Sequence, residues 1–242
     1  FWQYRPAHSS ESAARIDWRR SARGDAQFVR DRERQTARSA AIWVGRGAGM
    51  GWQGRAGQGE SKYERARLIG LSLALSMIRG GERVALLGAA SGAGAAQAGK
   101  ISFAMASAQL LPGDADAPAP ETARPGQIAI LIDDFLQPDP RLDAFVARLA
   151  DLGTGGVLLQ VLHPDETTFP FTGALRFETA GGQRHETRDA EGLRRAYLAR
   201  LEARREALAA LARQGGMIFG SHDLDQPVSA PLIWLHGVLS AR

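Results

Sequence analysis

Short, continuously apolar runs alternate along the chain with longer stretches of helical periodicity. Ala40–Val44 (AAIWV), Arg83–Leu87 (RVALL), Gln127–Ile132 (QIAILI), Gly156–Leu162 (GVLLQVL) and Met217–Phe219 each read as a strand buried on both faces. Lys62–Arg79 predicts a helix apolar on most sides, ended by Gly80-Gly81. Further helices are expected over 100–111, 139–151 (amphipathic), 190–213 (long, rich in Arg, Ala, Leu and Glu) and 227–240. Gly-rich 46–60 and small-residue 88–99 read as loops, and Pro112–Pro125 as a linker. Residues 173–188 predict an inserted β-hairpin turning at Gly181-Gly182. Strands alternating with helices predict one doubly wound, mainly parallel α/β domain over 37–242. Residues 1–36 break the alternation by mixing aromatics with arginines. They predict an arm or hairpin on the sheet edge, with Tyr4 and Trp18 buried and Asp17 paired to a nearby arginine.

Composition narrows the chemistry. The 242 residues are 44% hydrophobic and contain no cysteine, which excludes disulfides, zinc–thiolate sites and thiol nucleophiles. No apolar run approaches the roughly 18 residues a membrane helix needs. The chain begins at Phe1, which predicts an upstream segment with room for an anchor or a first strand. The net charge is +4, but it is unevenly spread: residues 1–70 carry +7 and residues 71–242 carry −3. Of 30 basic residues only Lys62 and Lys100 are lysines. With no nucleic-acid-binding module beside it, a basic front against an acidic back favours salt bridges or a protein docking face over a duplex footprint.

Ligands of doubly wound sheets bind beyond the carboxyl ends of the strands. Those ends carry Asp133, Asp134, His163, Asp165, Glu166, His222 and Asp223. Gathered in one coordination sphere, Asp133, Asp134, His163, Asp165 and His222 would make a metal-dependent hydrolase. Dispersed, they would cap helices and close turns. Gly94–Lys100 (GAAQAGK), with the apolar strand Gln127–Asp134 ending in an acid, suggests a P-loop-like nucleotide phosphatase, except that Ile101 stands where Ser or Thr should hold the metal and the nearest strand ends too early. The run GRGAGMG lacks the third glycine and the distal acid of a dinucleotide fingerprint. Ser221-His222-Asp223 are sequence neighbours and cannot form a triad by themselves.

Several words in fixed order carry a resemblance: FWQYRP (1–6), ARIDWRRSARGD (14–25), FVRDRERQ (28–35), AIWVGRGAGM (41–50), SKYERA (61–66), ILIDDFL (130–136), VLHPDETTFPFTGALRFE (161–178) and SHDLDQPVSAPLIWL (221–235). In these the chain resembles the bacterial domain of unknown function 58 family, whose members contain a von Willebrand factor A-like domain. The resemblance implies that fold, and makes Arg15, Ile16, Asp17, Trp18 and Arg19 an arm motif. In von Willebrand A domains the first strand ends in Asp-x-Ser-x-Ser, which holds a divalent cation with help from a later Thr and Asp. Here Gly45, Gly47 and Gly49 stand at those positions, Met50 after them still matches, and Asp134 alone remains as a candidate ligand. The resemblance thus implies a degenerate metal site, no cofactor, and a cytoplasmic, non-catalytic module that binds a protein, namely a MoxR-type AAA+ ATPase. Two departures weaken any chemistry at the rim: Ala7-His8 follows Pro6 where relatives have Gly-Asp, and His163 replaces a common Asp before Pro164.

Overall fold

The apolar runs become one parallel sheet in the computed structural model, which describes residues 2–6, 18–22, 28–32, 39–113, 116–178 and 184–241. Its strands are β3 (Ser39–Val44), β4 (Arg83–Leu86), β5 (Gln127–Asp133), β6 (Gly156–Leu162) and β9 (Met217–Asp223), in the order β4-β3-β5-β6-β9, every pair parallel. The strands are apolar on both faces because both faces are covered. Ile42, Ile130, Ile132, Val157 and Leu159 pack with Ile69 and Leu73 of α2 (Lys62–Arg79) and Leu235 of α7 (Ser229–Ser240). Their alternates Ala129, Leu131 and Leu158 face Phe145 and Leu149 of α4 (Pro140–Asp151) and Leu208 of α6 (Ala190–Gln214). The chain leaves β3 for β4 on one side and returns to β5 on the other. The crevice above β3 and β5 is therefore the topological switch point.

Residues 1–37 and 38–242 form separate units. In the first, β1 (Trp2–Pro6) pairs antiparallel with β2 (Phe28–Arg32), and α1 covers Trp18–Ser21. Trp18, expected to be buried, is 56% exposed. The insertion is the antiparallel pair β7 (Leu175–Glu178) and β8 (Arg184–Thr187); its expected turn lies outside the described residues.

Three boundaries differ from expectation. α3 runs Gly94–Ser107 rather than 100–111, because the alanines of GAAQAGK favour helix and outweigh Gly94 and Gly99. β9 continues past Phe219 through the polar GSHD, since an edge strand can carry polar residues while its backbone completes a seven-residue ladder with β6. A one-turn helix not anticipated from the sequence, α5 (Pro164–Thr168), follows β6.

The entry to α2 is a capping box. The Glu64 amide donates to Ser61 Oγ at 3.2 Å, and the Ser61 amide donates to Glu64 Oε2 at 2.8 Å. Ser61→Ala removes one arm of that exchange and should cost about 1 kcal/mol, read as a lower urea midpoint with an unchanged slope.

Candidate functional site

A lysine closes the switch-point crevice. Lys62, the first residue of α2, is 1% exposed, and its Nζ donates to Asp134 Oδ2 at 2.7 Å and to Glu166 Oε1 at 2.6 Å. Burial opposes the ammonium, but the two carboxylates outweigh it and hold the proton above the ordinary lysine range. Burial pushes the Glu166 carboxyl up, and the Lys62 charge offsets only part of that. An open cleft of about 680 Å³ lies over the group, lined by Gly49, Trp52, Gly54, Lys62, Asp134 and Glu166.

Each arm of the ion-pair network is fixed by its own element. Past β5 the Asp134 amide donates to Met50 Sδ at 3.2 Å, and Gln160 Nε2 of β6 donates to the Asp134 carbonyl at 2.8 Å. Phe135 follows in the left-handed region at φ 47°, buried against Trp43. Its carbonyl accepts from Arg204 Nε of α6 at 2.7 Å. A non-glycine residue there is strained by about 1–3 kcal/mol, and persists because its surroundings leave no alternative. Glu166 is placed by α5. The His163 amide donates to Glu166 Oε2 at 2.9 Å, and His163 Nδ1 accepts from the Asp165 amide at 3.0 Å. α5 ends at Phe169, also at φ 47°, inside an aromatic cluster with Phe171, Phe177 and Tyr197 that joins the inserted hairpin to α6. Burial, and next the Glu166 charge, push the Tyr197 phenol up to about 12.

The glycines of the 45–60 loop make room for these groups. A Cβ on Gly45 would overlap the Asp133 carboxylate, so an aspartate cannot stand there without displacing it. Gly49 approaches Asp134 with only ordinary contact, and Gly47 precedes a 3₁₀ turn over Ala48–Gly51. Gly54, at φ 81°, lies against His163, and the next amide, of Arg55, donates to Asp165 Oδ2 at 2.7 Å.

The acids and histidines of the strand ends fall into separate networks. Asp134 and Glu166 meet on Lys62. Asp133, 7% exposed, turns under the Gly45 backbone; burial and then the Asp134 charge push its carboxyl well above the usual range. His163 and Asp165 cap α5 and anchor the glycine loop. His222 lies on the α2 face, where Arg65 Nη1 donates to its Nε2 at 2.8 Å. Guanidinium only donates, so Nδ1 carries the imidazole hydrogen, and it has no partner among the described residues. Burial, then the Arg65 charge, press the His222 pKa down. Asp223 faces Arg205 instead, and burial raises its carboxyl. Among the described residues no three His, Asp or Glu side chains could jointly hold a metal ion. The five-residue sphere of a hydrolase is not assembled. Nor does Gly94–Lys100 form a phosphate loop, since it is the start of α3 and Lys100 is exposed. Arg15, Ile16 and Asp17 lie outside the described residues; Trp18 and Arg19 belong to α1.

Residues 3–207 match the family described as "Protein of unknown function DUF58". The chain belongs to that family. Among solved structures it resembles the conserved hypothetical protein BatB from Bacteroides thetaiotaomicron, at 16% identity, covering 84% of this chain and 98% of that one, with a TM-score of 0.52. An aerotolerance-related membrane protein from Bacteroides fragilis NCTC 9343, carrying multiple mutations to serines, matches at 16% identity over 85% and 100% of the two chains, with a TM-score of 0.49. At these identities the likeness concerns the fold. No curated protein matches the DUF58 chain significantly. Among the described residues no helix is long and apolar enough to cross a membrane.

Two measurements test the site. Lys62→Met leaves two carboxylates buried without a cation and should cost ~3–5 kcal/mol near neutral pH. Without the lysine the Glu166 carboxyl, already pushed up by burial, loses the charge that holds it down, so the loss should shrink as pH falls and Glu166 protonates. Asp133 already has a raised folded pKa. Its contribution to stability is complete below the unfolded value near 3.8 and is lost as pH rises through the folded one. Asp133→Asn should therefore match the parent near that lower value and gain on it progressively toward neutrality in urea titrations. A difference that does not change with pH would contradict the buried-acid assignment.

Proposed function

We propose that this DUF58 chain is a non-catalytic, von Willebrand A-like interaction module in which an internal ammonium takes the place of the divalent cation. The observation that carries the proposal is the seat of Lys62 Nζ, between Asp134 Oδ2 and Glu166 Oε1 at the switch point. A metal centre there would need several hard oxygen ligands. This crevice has glycines on its first loop, and a lysine already neutralises the carboxylates that remain. The ammonium holds β5, α2 and α5 in register without an exchangeable ion. The loop from Gly45 to Gly59 and the exposed edge of Trp52 thus form a rim whose shape does not depend on metal supply. Such a rim fits a role in docking a protein. The partner proposed is a MoxR-type AAA+ ATPase, acting in the cytoplasm, where its ATP is found.

The reading separates into two measurable parts. Titration of Mg²⁺ or Mn²⁺ into the protein should show no calorimetric binding in the micromolar range. Micromolar binding that Asp134→Ala abolishes would overturn the ammonium-for-metal assignment. Co-purification of the full-length protein with a MoxR-type ATPase should survive excess EDTA when nucleotide is absent. Recovery without such an ATPase would remove the partner and leave the site assignment standing.

A further inference from the structure

Beyond the carboxyl ends of β3 and β4 lies a second cavity, of about 390 Å³, on the other side of β3 from the Lys62 cleft. Its walls are chiefly apolar, with Trp43 and Leu86 from the sheet, Met105 from α3 and Pro118 from the linker. Most of its polar groups are engaged within the fold. Tyr63 Oη donates to the Ala108 carbonyl at 3.1 Å, and Thr122 Oγ1 donates to that of Ala119 at 2.6 Å. Asp116 Oδ2 accepts from the Arg46 amide at 2.9 Å, and the Asp116 charge also acts on Arg141.

Two arginines are different. Arg46 and Arg67 both line the cavity and both are half-buried. The Arg46 guanidinium has no hydrogen bond or ion pair with any described residue. Arg67 lies over the Tyr63 ring at 5.4 Å, and its charge acts on Glu64, whose carboxylate accepts its hydrogen bonds from Ser61. Withdrawing a cation from water without an anion is unfavourable, and guanidinium favours carboxylate through paired N–H donors. A chamber with apolar walls and two guanidinium groups on its lining is complementary to an amphipathic anion. Its volume lies within the range of small-molecule pockets.

We infer that this cavity binds a small carboxylate with an apolar body, its carboxylate held by Arg46 and Arg67 and its body lying against Trp43 and Met105. Such a group occurs both as a free acid and as the C-terminal residue of a peptide. The site is independent of the Lys62 network and of the partner proposed for it.

Calorimetric titration of the whole chain with 4-phenylbutyrate and with Gly-Gly-Phe, each against its amide, tests the inference. At least one acid should bind, and its amide should bind about tenfold more weakly or worse. Stronger binding of 4-phenylbutyrate would assign a free acid, and stronger binding of the peptide a chain terminus. Arg46→Gln and Arg67→Gln should each weaken binding by about tenfold, with little change in the unfolding midpoint. Ala104→Phe, which fills the chamber and keeps both arginines, should abolish binding. The inference fails if neither acid binds at about 10 mM. It fails equally if acid and amide bind alike, or if the double arginine variant binds as the parent does.

Discussion

One buried ammonium ties together the three segments that meet at the head of the sheet. Lys62 begins α2, Asp134 directly follows β5 and Glu166 belongs to α5; none is a sequence neighbour of another, and both carboxylates converge on one nitrogen. Desolvating such a group is worthwhile only when its protons are satisfied in good geometry. Lysine suits the position because its charge is compact and reaches through a flexible stem. The planar fork of arginine would spread two carboxylates apart rather than bring them to a point. In a chain with 28 arginines and two lysines, the lysine stands where that distinction matters.

The requirement propagates outward. To bring Asp134 over the ammonium, the chain turns at Phe135 through the left-handed region, and Arg204 and Gln160 hold the carbonyls on either side of that turn. To bring Glu166 down, α5 is wound tightly from His163 and ends at a second left-handed phenylalanine, fastened by the aromatic cluster under the hairpin. The glycine loop is the counterpart of these carboxylates. Gly45 leaves space for the buried Asp133 carboxyl, and Gly54 lets the loop lie against His163 and Asp165. The strain at Phe135 and Phe169 thus has a common cause in the placement of two acids around one base, while the glycines admit the neighbouring Asp133, His163 and Asp165.

Much of the architecture was legible in the chain. Buried parallel strands are apolar throughout, so QIAILI and GVLLQVL mark themselves, and Gly80-Gly81 marks the end of α2. The strand ends drew attention to Asp134 and Glu166, but their pairing was hidden because periodicity describes one element at a time. Lys62 was missed for the same reason. On a helix apolar on most sides, a lysine at the first position reads as a solvated end, and only the fold shows that this end points into the crevice. Its rarity in an arginine-rich chain was the available signal. The phosphate-loop and hydrolase readings failed for different reasons. Alanine-rich sequence satisfies a glycine–lysine pattern while preferring helix. The five acids and histidines of the hydrolase reading are drawn to different partners: Asp133 turns under Gly45, Asp134 reaches Lys62, His163 and Asp165 cap α5, and His222 meets Arg65.

The excess positive charge of the first 70 residues acquires a different meaning once it is resolved into its described pairs. Arg65 is enclosed by Glu60, His222 and the carbonyls of Leu224 and Gln226, where it ties the end of β9 to α2. Arg55 reaches the Pro170 carbonyl, and Lys62 is consumed by its two carboxylates. Each of these side chains has a structural partner among the described residues. Arg46 and Arg67 stand apart from these, since both line a largely apolar chamber and no hydrogen bond joins either guanidinium to a carboxylate among the described residues. Two half-buried guanidinium groups on the lining of one small cavity define a point of recognition for a single anionic group.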